Sequence, residues 1–484
     1  MSTTDDLDAF LRDQAEGFAP RDVDKETSGQ TRLAHRLAAR HTGRLLHVHG
    51  LGWLRWDGKR WAEDRGDKHA KRAVEDTLRR AWREAQADDS LAKDVRVCQS
   101  DNARAGILKI AASLEELTAE VEDLDAAPHL LNTPAGTLDL WAMDLRPHDP
   151  VDRITRSTAG AWRPGQFHAG TWQTFLETSL PDPEVRAFLA RYVGQALFGA
   201  VREQKLVILT GEGSNGKSVF ADALRHALGE AKTGGYAATA PPDMLLVRKD
   251  TSAFDGSVEL RGARWAVLSE TEKGRELNVA MVKRLTGGDP ITARNLYKPL
   301  ITFEPSHTLA MVANDPPHIP DTGHAIWRRV LVVPWNVKFA DTPEKVAEGL
   351  PPADLDLPAK LAADADAVLA WAVEGWTDYQ ARDGLAAPDA VQIATAAYRE
   401  DNDDVAQFLN DCTQPAGGQV VGVKAMHDRY VLWARAMSKE RHLGRKEFSK
   451  ELDAHKSSHQ FRRNARGECL GLMLRPDWNC GDVD

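Results

Sequence analysis

The readable part of the chain opens with short runs in which apolar and polar positions alternate. LLHVHG from residue 45 and WLRWDGKRW from residue 53 carry the two-residue period of half-buried strands, and Asp57-Gly58 supplies the turn of a hairpin. A charge-rich stretch with helical spacing follows to about residue 122, and residues 132–162 return to a β-like pattern, so 45–165 are expected to form an N-terminal α+β domain. Residues 1–44 begin with many Asp and Glu and few apolar positions, and are assigned to an acidic arm whose first thirty residues are expected to form a mobile arm or a single surface helix. Between 171 and 200 apolar residues recur at helical intervals (Phe175, Phe188, Leu189, Tyr192, Val193, Ala196), which predicts a helical collar leading into an α/β core, the two together spanning 166–340. A Pro-rich loop then leads to an Ala- and Leu-rich helix, anchored by Trp371 and Trp376, within a helical extension over 341–400. Asp401 to Asp404 are read as a linker. Beyond them, 401–484 run helix, helix, helix, hairpin, the order of a winged-helix domain.

A chain of 484 residues is longer than one core supports, which agrees with about three domains, and 42% hydrophobic with 28% charged residues is the balance of a globular protein. No window reaches the length of a membrane span and the N-terminus is acidic, so no membrane partner and a cytoplasmic location are expected. Cys98, Cys412, Cys469 and Cys480 are far apart and form no CxxC, which favours reduced thiols. A net charge of -10 excludes a protein that coats nucleic acid indiscriminately, yet residues 421–475 hold thirteen Lys or Arg against six Asp or Glu.

The chemistry concentrates between 205 and 335. KLVILT is a β-rich apolar run, followed at once by GEGSNGKS at 211–218 and then by a helical pattern. This is the full GxxxxGK(S/T) spacing in a strand, loop and helix context. Gly211, Gly213, Ser214, Asn215 and Gly216 are expected to curl the backbone around phosphates, Lys217 to neutralise them and Ser218 to ligate magnesium, so ATP and Mg2+ are the expected cofactors. RWAVLSETE ends in two carboxylates, of which Glu270, directly at the strand end, is preferred over Glu272 as the acid that holds the metal. A third apolar strand ends at Asn314, a candidate sensor of the γ-phosphate. Arg328 and Arg329 precede a fourth, where an arginine could reach a neighbouring subunit's nucleotide. Lys283 precedes a GGD helix break, and Arg294 and Lys298 share one face of the hairpin strand that follows, a candidate grip on a sugar-phosphate backbone. Arg462 and Arg463 lie in the C-terminal hairpin, where they suit contact with DNA.

Taken together, GEGSNGKS, WAVLSETE, KRLTGGDPITARNLYK, MVANDPP and AIWRRVLVVPW resemble the superfamily 3 helicases, in particular the phage and plasmid primase-helicases related to that of poxviruses. The resemblance extends over about residues 45–475 through WLRWDGKRW, LLNTPAGTLDLWAMDLRPHDPVDRIT, VLAWAVEGWTDY and YREDNDDVAQFL. It implies an AAA+-type P-loop ATPase that forms a homo-oligomeric ring, usually a hexamer, and moves 3′ to 5′ on single-stranded and forked DNA. It also implies roles for Lys217 and Ser218 on triphosphate and magnesium, Glu270 as the Walker B acid, Asn314 as sensor, Arg329 as finger, and Lys283, Arg294 and Lys298 on DNA. The paired aspartates of a primase are missing: Asp354 and Asp356 have the spacing but sit in a Pro-rich loop, so priming is expected from a separate primase or polymerase. Two other readings compete with a replicative helicase. One is an origin-binding initiator whose winged helix recognises duplex DNA; the other is an ATPase of another kind, disfavoured by the short spacing from loop to acid to Asn to Arg.

Overall fold

The computed structural model describes residues 26–164, 170–241, 243–247, 257–269, 274–293, 300–321, 323–437, 439 and 442–476. It is a mixed α/β protein. The first element, α1 (Gly29–His41), falls at the end of the stretch assigned to an acidic arm, whose residues 1–25 lie outside the described ones: Leu33, Ala34, Leu37 and Ala38 lie in its buried face and pack with the N-terminal helices. The antiparallel hairpin expected at Asp57-Gly58 forms, with β1 (Leu45–Val48), β2 (Gly52–Trp56) and β3 (Trp61–Glu63) adjacent in one sheet. Helices α2 (Lys68–Glu84), α3 (Asp89–Val97) and α4 (Asp101–Ala111) fill the charge-rich stretch, turning Val74, Leu78, Val95 and Ile107 inward. The short strand β4 (Thr118–Ala119) then adds parallel to β1.

The next sheet, β5 (Leu130–Thr133), β6 (Gly136–Asp139) and β7 (Asp144–Arg146), lies within the expected N-terminal domain, but its apolar face belongs elsewhere. Leu131, Leu138 and Leu140 join the central core. Fully buried Arg264 donates to the carbonyls of Leu130 and Leu197, tying this sheet to the centre.

Helices α5 (Thr171–Ser179) and α6 (Pro183–Ala196) precede a five-stranded parallel sheet. Its strands are β8 (Leu206–Thr210), β9 (Ala237–Ala240), β10 (Trp265–Ser269), β13 (Thr308–Ala313) and β14 (Val330–Pro334), in spatial order β14-β8-β13-β10-β9. Alternate residues enter two different cores: Val207 and Leu209 face one, Leu206 and Ile208 the other. Burial on both faces is why these strands read as unbroken apolar runs. Between them lie α7 (Lys217–Leu228), α8 (Val279–Leu285), the antiparallel pair β11 (Ile291–Ala293) and β12 (Ile301–Phe303), and α9 (His324–Trp327).

After two short helices, α10 (Pro343–Ala347) and α11 (Leu357–Ala363), the long α12 (Ala365–Arg382) packs into the core on the α6 and α7 side of the parallel sheet. Trp376 is its anchor, fully buried with Nε1 donating to the Leu140 carbonyl at 2.7 Å. Asp354, one of the aspartates in the Pro-rich loop, pairs with Lys360 at 2.6 Å.

The expected linker is not a free one. Helix α13 (Asp389–Asp401) and α14 (Asp404–Cys412) are nearly continuous, and buried Asn402 between them accepts a hydrogen bond from the Ile319 amide at 2.6 Å. The C-terminal unit also gains a strand that the sequence pattern does not announce. Strand β15 (Thr413–Val421) comes before α15 (Val423–Ala436) and α16 (Arg445–Ala454), then β16 (Arg462–Arg463) and β17 (Cys469–Leu474) complete a sheet in the order β15-β17-β16. Its core holds Phe408, Tyr430, Trp433 and Phe448, together with the buried thiols of Cys412 and Cys469. Among the described residues no helix is long and apolar enough to cross a membrane.

Candidate nucleotide site

Strand β8 delivers the chain into the 211–216 loop, and α7 begins at Lys217. Four loop residues, Gly211, Gly213, Ser214 and Gly216, have positive φ, the left-handed curl that lets successive amides face one concavity. Glycine is required most strictly at 211, where any side chain would run into the Asn215 amide and the Trp335 carbonyl. Lys217 does not extend into solvent. Its side chain is buried, and Nζ donates to the Gly211 carbonyl at 2.8 Å and to Asn215 Oδ1 at 2.9 Å. Asn215, also buried, donates through Nδ2 to the Trp335 carbonyl at 3.1 Å. The segment after β14 is pinned along the loop by two further bonds, from the Trp335 amide to the Thr210 carbonyl and from the Phe339 amide to the Ser214 carbonyl. Ser218 is exposed in the first turn of α7.

Register brings neighbouring strand ends to the same edge. Ala313 lies opposite Thr210, and Ser269 opposite Val312, so β10 and β13 end beside the start of the loop and Asn314 follows directly there. Asn314 is exposed there. Glu270 and Glu272 lie outside the described residues, as do Arg294 and Lys298. The strands that frame the latter pair do meet as the expected hairpin, with Ala293 opposite Ile301.

Arg329 stands at the other edge. It precedes Val330, which pairs with Leu206 at the beginning of β8, whereas the loop leaves β8 at Thr210. Arg328 and Arg329 both donate to Gln204 Oε1, and Lys205 Nζ donates to the Arg328 carbonyl at 2.7 Å. Burial lowers the Arg329 pKa, and the neighbouring Arg328 cation lowers it further. Within one chain, then, Arg329 and Lys217 are on opposite edges of the sheet.

Two of the candidate DNA-binding cations are already engaged. Lys283 pairs with Asp321 at 3.2 Å. Arg463 turns back onto α16, where its guanidinium donates to the Ser449 carbonyl at 2.9 Å, Ser449 Oγ at 3.0 Å and Asp453 at 3.1 Å. Arg463 is therefore a brace between β16 and α16; Arg462 and, in the following turn, Arg466 are the exposed arginines of this hairpin. Sequence reasoning misses the link from Asn215 to Trp335. Its signal is local, an asparagine inside the Gly-rich loop and a tryptophan that directly follows a buried strand.

The fold and this loop define a mixed α/β protein in which a parallel sheet presents a Gly-rich, lysine-containing turn beside the ends of two neighbouring strands. The chain is similar to the primase-helicases of phages and large DNA viruses: residues 34–181 match the family model described as D5 N terminal like, and residues 209–329 match a family of unknown function, DUF5906. It is 28% identical over 352 residues to the Acanthamoeba polyphaga mimivirus protein named "Putative helicase L207/L206", covering 70% of this chain and 36% of that protein. It is 31% identical over 295 residues to "Putative helicase 022R" of Frog virus 3, covering 58% and 28%. With "Putative primase C962R" of African swine fever virus it shares 22% over 371 residues, covering 73% and 38%. The chain thus spans only 28% to 38% of these relatives' lengths. Among solved structures, the apo C-terminal region of NrS-1 aligns at 10% identity and a TM-score of 0.36, covering 66% of this chain and 85% of that one.

Proposed function

We propose that the chain is an ATP-dependent DNA helicase of a phage or related mobile element, in which 211–218 is the P-loop of an AAA+-type superfamily 3 core and 401–484 a winged-helix domain. The observation that carries this reading is buried Lys217, held by Gly211 and Asn215 inside a loop of positive-φ residues at the start of α7. These residues fit a triphosphate. A buried ammonium resting on a carbonyl and an amide oxygen, at a helix N-terminus with a partial positive charge of about half a unit, is a place where phosphate charge is favoured. Bound ATP with Mg2+ would supply the cleavable phosphoanhydride and its charge neutralisation. The chain's own tasks would be for the loop amides and Lys217 to hold phosphates, for Ser218 and Glu270 to hold the metal, and for Asn314 to orient the attacking water. Arg329, on the far edge of the sheet, suits action on a neighbouring subunit of a ring. Single-stranded DNA, gripped by the 291–303 hairpin, would be the track.

Lys217→Ala tests the core of this reading. ATP hydrolysis and displacement of a strand from forked DNA should both be lost, by about a hundredfold or more. A near-normal hydrolysis rate would sink the P-loop assignment, and duplex origin binding without strand displacement by the unmodified protein would favour the initiator reading instead.

A further inference from the structure

A second concentration of charge lies away from the 211–218 loop, in a cleft of about 450 Å3. One wall is the β2–β3 hairpin and the turn into α2. The other is the 231–234 turn with Arg261, and Thr155 and Arg156 line the space as well. Seven Lys or Arg side chains line this cleft against two carboxylates, in a chain whose net charge is -10.

Some of these charges are accounted for. Arg60 donates to the carbonyls of Thr155, Thr233 and Gly234 at 3.0, 2.8 and 2.7 Å, and a side chain at Gly234 (φ +86) would run into its guanidinium, so the turn is shaped around this arginine. Asp64 is occupied by the amides of His69 and Ala70 and by the His69 ring. Glu63 pairs with Arg65, and Lys232 with Glu259, each at 3.6 Å.

The side chains of Arg55, Lys68 and Arg261 remain, with no hydrogen-bond or ion-pair partner among the described residues. Behind them Arg156 is only 8% exposed. Its terminal nitrogens reach the carbonyls of Ala231, Gly235 and Arg261; among the described residues no carboxylate binds it, and its Nε has no partner. Burial brings its pKa down to about 10, Asp125 opposes the shift, and neighbouring Arg261 adds to it. A buried guanidinium bonded to carbonyls but to no described carboxylate, faced by further cations without partners among the described residues, is an arrangement that an anion would stabilise. Planar guanidinium forks match phosphate oxygens, and Leu51, Leu54 and Leu124 in the same lining offer apolar surface for a sugar or base.

We propose that this cleft binds the phosphate of a nucleotide unit, with Arg55, Lys68 and Arg261 as its ligands and Arg156 as fixed charge behind them. The site is separate from the 211–218 loop and holds whether or not that loop binds ATP. The phosphate could belong to a single DNA strand or to a free nucleotide, and the two sources are separable by experiment.

The test uses the full chain carrying Arg55→Ala and Arg261→Ala together. In one arm, a fluorescent oligothymidylate is bound over a salt series and followed by anisotropy. In the other, ATP binding is measured by calorimetry in a Lys217→Ala background, which removes the first candidate site. A strand source predicts about a tenfold weaker affinity and a log affinity against log salt slope smaller by about 0.7 for each phosphate no longer neutralised. A nucleotide source predicts disappearance of the residual calorimetric signal. Either outcome supports the site and identifies its ligand, whereas unchanged binding in both arms overturns it. The melting temperature should not fall, because the removed cations have no partners among the described residues; a fall would mark a structural role and also overturn the proposal. Arg55→Lys with Arg261→Lys, which keeps the charge, should retain most of the salt dependence.

Discussion

Lys217 donates a 2.9 Å hydrogen bond to Asn215, and Asn215 donates in turn to the Trp335 carbonyl, so the loop lysine is connected to the end of β14 through one side chain. Asn215→Asp keeps the acceptor for Lys217 but sets a carboxylate against the Trp335 carbonyl; Asn215→Ala removes both bonds. Each variant should lose about 1–3 kcal/mol of stability, read as a lower melting temperature, and should weaken ATP binding. Unchanged melting and nucleotide affinity in both would show that the connection is incidental.

Arg329 and Lys217 stand on opposite edges of one sheet, so a shared nucleotide site needs two subunits. Arg329→Ala should reduce hydrolysis while leaving the monomer's ATP affinity alone. Mixing it with Lys217→Ala protein should restore activity at about a quarter of the interfaces, the share in which an intact loop meets an intact arginine in a head-to-tail ring. With subunit exchange demonstrated, an absence of rescue would contradict the shared site.

The two arginines of β16 should separate cleanly. Arg463→Ala removes three hydrogen bonds to α16 and should lower the stability of the C-terminal unit by about 1–3 kcal/mol. Arg462→Ala should leave melting unchanged and weaken duplex binding in a salt-dependent way. The reverse pattern would mean that the brace and the exposed residue have been exchanged.

His307 is fully buried, with Nε2 against the Leu285 carbonyl, and burial lowers its pKa to about 4. The unfolded chain, with a histidine near 6.5, binds the proton more readily, so this site's contribution is complete above about pH 6.5 and is lost as pH falls toward 4. At about pH 5 the loss should be about 2 kcal/mol. Thermal unfolding at pH 7.5 and 5 should show it, and His307→Gln should flatten the difference; an equally steep dependence in that variant would assign it to other groups.

The parallel strands and the 211–218 loop are legible because both signals are local: a strand buried on two faces is an uninterrupted apolar run, and the loop's spacing is dictated by its turn. What escapes the sequence depends on distant partners or on weak local chemistry. Helix α1 buries two leucines and two alanines beneath a charged surface, an apolar face too small to stand out from the acidic residues before it. Strand β15 contains Pro415, Gly417 and Gly418, which suppress a strand signal, and it is tolerated because it is an edge strand with an irregular register between Pro415 and Val420. The β5–β7 sheet joins the centre through Arg264 and Trp376, whose partners lie over a hundred residues away. Lys283 and Arg463 look like available cations because a sequence does not reveal that Asp321, Ser449 and Asp453 already hold them.

Asn402 has a mechanical consequence. A flexible four-residue linker would let the C-terminal unit wander over about 11 Å. Instead the asparagine clasps the Ile319 amide on the loop that leaves β13, and the next residue, Asp403, caps α14 by accepting from the Ala406 amide at 2.9 Å. The sheet of β15 to β17 is thereby carried rather than tethered. Its reach is that of a short stiff arm, and a rotation of the loop beyond Asn314 would swing it without slack.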